Sequence, residues 1–565
     1  MDKKSVIMIG ILVVIVIFYF PIMEELGLYN PAEPPPPPVD TTQQIDNQVA
    51  KPLEQVVDTQ ADIKIEPEVV QPLDSAVYDT IVVKTQKYSL VLSTFGGGPV
   101  SIKLNDYNYR DTNNIEMLPL ATKATPEALF AGGTFSSSDV SYISSLQPGE
   151  YDATNQNFEL TYTYTSPEGG QLIKKYIFYP DKYNYDLVFE INGREQLGFE
   201  RKYNLRWNTP LGITEPQIEM DYQATEAVAM MSGERETLDD FKDNKLNQEL
   251  TGSTEWAGVR SKYFAVVIIP RNRPADGVFA QGFKKEILIP DGSSVESRSI
   301  TAGLEMPFAN VSNVSDSFTV FVGPLDYNVM SDYNIGLDDI LGIGTMPFVG
   351  WILKPFAIGL MWLLPIMYGF IPNYGLVIIL VALLVKVVTL PLSMKSFKSM
   401  QAMKVLQPKL EELKKKHKKN PQELNKATMA LYKENGVSPM SGCLPMLPQM
   451  PILFAMFSVF RQTILLRDAP FIWFIDDLSR GAQSFTDPYI ILVVIMVIAQ
   501  FLSQKVTMPS NQQNKALTYM MPLMIAFFFY SFSSGLILYY ICFSLFSMLD
   551  YVLFKRDKAA QVKIS

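Results

Sequence analysis

Lys386 is the residue whose position asks most of the chain. It lies inside GLVIILVALLVKVVTLPLSMK, residues 375–395, an apolar run long enough to cross a bilayer. A cation at the centre of a span costs about 2.5–3.5 kcal/mol on insertion scales, so it marks function by default. With a helical rise of 1.5 Å per residue, Lys386 sits roughly 12 Å below residue 394. A lysine side chain covers about half of that, so snorkelling to the cytoplasmic interface would be partial. Gln449, Gln500 and Ser503 lie at comparable depth in other apolar runs and would instead hold Lys386 in a wet cavity. No acid reads as its midplane partner. Asp550 falls near the cytoplasmic end of the last run and is a poor candidate.

The remaining reactive residue types exclude most chemistry. Cys443 and Cys542 both fall in apolar runs, which indicates no disulfide framework. The lone histidine, His417, stands in a lysine run, so neither a His/Cys metal site nor a serine–histidine pair can be built around it. HExxH and a phosphate loop are both missing, and no two acids share an intramembrane site. The prediction is a protein that is not an enzyme, with no catalytic residue, metal or cofactor.

The elements that must position Lys386 follow from hydropathy and charge. Apolar residues make up 48% of the chain, and its formal net charge is −10. Residues 394–440 run against that sign with eleven Lys and four Glu. Residues 1–23 hold two lysines and then a bilayer-length apolar core ending in Phe18, Tyr19 and Phe20, without a small-residue cleavage site. They read as an uncleaved anchor with a cytoplasmic N-terminus. Residues 24–75, with Pro34 to Pro38, read as an extended external linker. From 76 to 326, runs such as FELTYTYTS, YDLVFEING and YFAVVIIP are separated by the turn signals GGGP, SPEGG and PDGSS. This predicts an antiparallel β-sandwich domain, with GGG (96–98) as a turn rather than a ligand cradle.

Residues 337–372 include an apolar stretch interrupted by Lys354, Pro355 and Pro365 and flanked by Trp351 and Trp362. If both this stretch and the second span (373–394) crossed the membrane, the basic segment would lie outside, against the positive-inside rule. The prediction is an interfacial helix at 337–372 and a cytoplasmic helical hairpin at 395–440. In the hairpin, Met400, Met403, Leu406, Leu410 and Leu413 form one stripe, and Asn420–Pro421 begins the second helix. Lys414, Lys415, Lys416, Lys418 and Lys419 crowd its tip. Spans three to six fill 441–554, and 555–565 is a basic cytoplasmic tail. Residues 360 and 480 should then lie outside, and 416 and 512 inside.

This ordering resembles the YidC membrane-protein insertase family in its Gram-negative form. The resemblance rests on LQPKLEELKKKHKKNPQELNKATMALYKENGVSPMSGCLPMLPQMPI (406–452), LRDAPFIWFIDDLS (466–479) and SSGLILYYI (533–541). It covers about 345 to 554, and more weakly STFGGGPVSIKL (93–104) and the run to YFAVVIIP (263–270). It implies a five-helix insertase core and an external supersandwich, in the cell inner membrane. It also implies a substrate groove at Lys386, Gln449, Tyr539 and Tyr540, with lysine where the family usually carries arginine. Nascent membrane proteins, the Sec translocon, the ribosome and the lipid bilayer are the implied partners. Two other readings stay open on residues alone: a small-solute or ion channel with an external sensor domain, and a structural envelope protein working through its β domain.

Overall fold

In the computed structural model the described residues run from 79 to 564, apart from 110–112, 120, 131–133, 200–201, 290–291, 309–311, 346–349, 418–419, 436–445, 485 and 508–514. Within the helices, side chains are not described at 395–404, 407, 421, 425, 446–450, 507, 515–521 and 553–564. The expected anchor and linker (1–75) lie outside the described residues.

Thr80 to Pro324 forms a β domain of two sheets, one of five strands and one of fifteen among the described residues. Strand Gln171–Phe178 alternates half-buried and buried side chains along its length, as a strand with one face on a core must. Strand Phe264–Pro270 (FAVVIIP) is buried at every residue but its last. It runs antiparallel beside Val314–Pro324 (Val267 opposite Phe321) and is covered on both faces. The run TIVVKTQKYSLVLSTF divides into Thr80–Lys84 and Tyr88–Ser93, because the Thr85 hydroxyl turns the chain by donating to the Tyr88 carbonyl.

The GGG stretch makes a turn with Gly96 (φ 81°) and Gly97 (φ 56°) in the left-handed region, where a side chain would be strained. Its carbonyls accept from inside the domain: Lys174 Nζ donates to Gly96 O at 2.7 Å and Tyr176 Oη to Gly97 O at 2.8 Å. Lys174 is almost fully buried, and burial pulls its ammonium down to about 7, against the pull of Glu127.

Eight longer helices follow: α1 (Gly350–Phe370), α2 (Tyr374–Val405), α3 (Gln407–Lys416), α4 (Pro421–Glu434), α5 (Met446–Gln462), α6 (Ile490–Thr507), α7 (Lys515–Phe529) and α8 (Ser534–Ile564). In the bundle α8 packs on α2, α5 and α6, α7 packs on α6, and α1 packs on α5 and α2. Among the described residues, three stretches are long and apolar enough to cross a membrane: Gly350–Phe370, Tyr374–Met394 and Ser534–Val552.

One sequence expectation needs correction here. The helix carrying Lys386 does not stop at residue 394, where the sequence reading ends the second span. It continues for 32 residues to Val405, so the hairpin's first helix begins only at Gln407, where Pro408 cannot extend the preceding helix. Helix α1 runs unbroken for 21 residues through Lys354, Pro355 and Pro365. By length and composition it qualifies as a span, and it exposes Trp351, Trp362 and Phe370 on the side away from the bundle.

Candidate functional site

Lys386 is only 4% exposed and faces α8. Its Nζ lies 3.2 Å from Asp550 Oδ2, donates to Ser547 Oγ at 3.0 Å and stands 5.1 Å from the centre of the Phe543 ring. The Asp550 contact is an ion pair whose angle falls outside that of a hydrogen bond. The sequence reading, which found no acid to pair with Lys386 and set Asp550 aside, is therefore wrong on this point. Counted from their outer ends, Lys386 lies 12 residues past Tyr374, about 18 Å, and Asp550 lies 16 past Ser534, about 24 Å. The difference of about 6 Å is one lysine side chain. The amine reaches toward the cytoplasmic side, and it meets a carboxylate rather than headgroups.

The helix positions these partners by its own period. Phe543, Ser547 and Asp550 are four and three residues apart and share one face of α8. Ser547 also donates to the Phe543 carbonyl, which leaves its lone pairs facing the lysine. The same helix carries Tyr539, which is buried and stacked on Phe543 with centroids 5.9 Å apart. Tyr540 meets the Phe529 ring edge-on at 5.3 Å. Ser544 donates to Gln500 Oε1 at 2.8 Å, so Gln500 is tied between α6 and α8 instead of facing Lys386. Gln449 lies on α5, but its side chain is outside the described residues. The structure thus brings Lys386 and Tyr539 to one α2–α8 seam through Phe543.

In the hairpin the Asn420 side chain accepts from Glu423 N at 3.3 Å and caps α4. Lys415 and Lys416 are exposed at the end of α3 and Lys414 is half-buried, while Lys418 and Lys419 lie outside the described residues. Such a tip presents charge to the aqueous phase and to any polyanion there.

On the opposite side of the bundle one residue unites both halves of the chain. Arg467, 4% exposed, pairs with Glu215 at 2.8 Å and donates to the carbonyls of Asn108 and Thr214. Burial raises the Glu215 carboxyl to about 7, against the pull of Arg467. Sequence reasoning set Asp550 aside and did not single out this latch. The available signals were an acid inside an apolar run with a serine three residues before it, and an arginine in the loop five residues beyond α5.

An apolar bundle with one buried ion pair, fused to an external β domain and carrying a basic hairpin, defines a polytopic inner-membrane protein with a β-rich periplasmic domain. Comparisons with known proteins specify it further. Residues 80–358 match the YidC periplasmic domain, and residues 366–561 match the 60Kd inner membrane protein family. The membrane protein insertase YidC of Chlorobaculum tepidum is 32% identical over 491 residues, covering 83% of this chain and 80% of that protein. That of Syntrophus aciditrophicus is 29% identical, covering 96% and 97%. A crystal structure of an active YidC insertase with its first transmembrane domain resolved aligns over 85% of this chain and 96% of that one, with a TM-score of 0.36 and 17% identity. The chain belongs to the YidC membrane protein insertase family.

Proposed function

We propose that this insertase works by ion-pair exchange at Lys386, and the observation that carries the proposal is the buried Lys386–Asp550 contact beside Ser547 and Phe543. At rest Asp550 neutralises the cation, which lowers the cost of holding it within the bilayer. A nascent membrane protein arrives from the ribosome at the basic hairpin, alone or beside the Sec translocon. Its acidic flank then replaces Asp550 at the ammonium, in a groove of α2, α5 and α8 open to cytoplasm and lipid, with Gln449, Tyr539 and Tyr540 on its walls. The flank crosses a shortened low-dielectric path, and the apolar segment leaves into lipid.

No nucleotide is consumed in this scheme and no covalent bond changes, so the protein acts as a chaperone rather than an enzyme. Burial of apolar surface supplies about 25 cal/mol per Å². An inside-negative potential adds about 2.3 kcal/mol per exported negative charge per 100 mV. Both termini lie in the cytoplasm, six segments cross the membrane, and α1 rests at its outer interface. Photocrosslinkers at 386, 449 and 540 test the reading against ribosome-bound nascent chains. Crosslinks at all three positions support it, and labelling by lipid alone overturns it.

A further inference from the structure

A cavity of about 660 Å³ lies between the β domain and the outer ends of the membrane helices, away from the Lys386 seam. Leu536 on its wall is about 16–21 Å up α8 from Ser547 and Asp550. Its two walls differ in chemistry. The β domain contributes Arg235, Arg260 and Lys262, whereas the bundle side mixes the apolar Leu353, Ala357, Phe457 and Leu536 with Ser458 and Gln462 and places Arg461 at the end of α5.

Two of these four cations form no ion pair among the described residues. Glu226 serves Arg235 at 2.6 Å and Arg260 at 3.9 Å. Lys262 is 8% exposed; its Nζ lies 3.9 Å from the Met220 sulfur and 4.7 Å from the centre of the Tyr263 ring, and although burial opposes its charge, Tyr263, Glu215 and Asp477 favour the charged form. The nearby Glu215 is engaged by Arg467. Among the described residues Arg461 makes no hydrogen bond or ion pair, and the other acids of the lining, Glu236 and Asp239, form no ion pair. Two further polar atoms of the lining, Arg235 Nε and Gln462 Oε1, are buried without a partner. Arg461, a cation at the end of an apolar helix with no acceptor among the described residues, carries an unreturned desolvation cost, and an anion in the cavity, drawn also by the charged Lys262, removes it.

We propose that this cavity binds the phosphate of an anionic phospholipid from the outer leaflet, held by Lys262 and Arg461. A free phosphate would satisfy the two cations equally. The apolar patch of Leu353, Ala357, Phe457 and Leu536 beside Arg461 favours the lipid, since it takes the glycerol and first methylenes while Gln462 Oε1 accepts from a headgroup hydroxyl. The lipid would then join the β domain to the bundle beside the Arg467–Glu215 latch. This assignment requires the outer ends of α5 and α8 to lie at headgroup level, and it is independent of how substrates are inserted.

The test uses the full-length protein, delipidated in detergent and titrated with phosphatidylglycerol, with retained lipid counted by native mass spectrometry. One phosphatidylglycerol should persist at activation energies that strip phosphatidylcholine. Arg461→Gln and Lys262→Gln should each reduce its retention at least fivefold. Thr345→Trp, on the exposed rim, should do the same without removing a charge, which keeps the test valid if Lys262→Gln fails to fold. Inorganic phosphate at millimolar concentration should not displace the lipid. Equal retention in Arg461→Gln and Thr345→Trp overturns the site. Binding of inorganic phosphate with no preference for phosphatidylglycerol overturns the lipid assignment.

Discussion

At the scale of single residues, the Lys386–Asp550 pair separates two roles that one lysine would otherwise confound. Lys386→Met leaves Asp550 without its cation and should destabilise the bundle by about 3 kcal/mol, the low end for a broken buried pair, because the Asp550 side chain keeps 18% exposure. Lys386→Met with Asp550→Asn should recover most of that loss. If the charge handles substrate, the double variant stays stable and still fails on substrates with acidic flanks. Asp550→Asn alone should insert acidic flanks at least as well as the unaltered protein. Protease protection of a single-span substrate with graded flank charge, read beside thermal unfolding, checks both expectations. Equal insertion across that series by the double variant would reduce Lys386 to a structural residue.

A second residue-scale expectation concerns Lys174. Its ammonium is held near 7 in the folded domain, against about 10.4 in an unfolded chain. The unfolded state therefore binds more protons between those values. The destabilisation is complete below pH 7 and is relieved as pH rises toward 10, at up to about 1.4 kcal/mol per pH unit. Urea unfolding between pH 7 and 9 should show this slope, and Lys174→Met should abolish it. Lys386 was legible because a charge in an apolar run is conspicuous. Lys174 was not, because KKYIFYP presents two adjacent lysines and only the pleat decides that Lys174 points inward and Lys175 outward.

At the scale of elements, the strand-rich domain and the hairpin follow from period and turn chemistry, while partners across the fold do not. The hairpin's helices touch each other through faces that include Leu410, which is 6% exposed. Leu410→Asp should loosen the hairpin by roughly 1–3 kcal/mol and leave the bundle folded. Limited proteolysis should then cut the hairpin first. Simultaneous collapse of the bundle would mean that the hairpin is part of the core. The length of α2 escaped the sequence because Pro391 reads as a stop. A single proline costs about 3 kcal/mol within a helix, yet the helix runs unbroken through it here. Asp550 escaped for a related reason: depth counted from the cytoplasmic end ignores a lysine that reaches along the bundle axis. The latch residues Glu215 and Arg467 are 252 positions apart and share no motif.

At the scale of the whole molecule, the six-span reading is a statement about sides, and cysteine labelling decides it. Leu360 is buried, so a cysteine there would be silent whatever its side. Better external probes are Trp473, 96% exposed, and Asn334 in the exposed loop after the β domain. Cysteines at both should react with an impermeant external reagent, and one at Lys416 should not. External labelling at Lys416 would overturn the count. The continuous α2 also has a mechanical consequence. Its 32 residues make a rod about 48 Å long, with Lys386 about 29 Å from the end that carries the hairpin. Pro391 supplies no amide hydrogen to the Val387 carbonyl, which places a compliant joint about one turn below Lys386. Weight applied at the hairpin is thus delivered through a stiff lever to a joint beside the ion pair. A tilt of about 5° there moves the hairpin end by roughly 2 Å while shifting Lys386 far less. The lever therefore gears a large cytoplasmic displacement down to the few tenths of an ångström that decide whether an ammonium keeps its carboxylate or releases it.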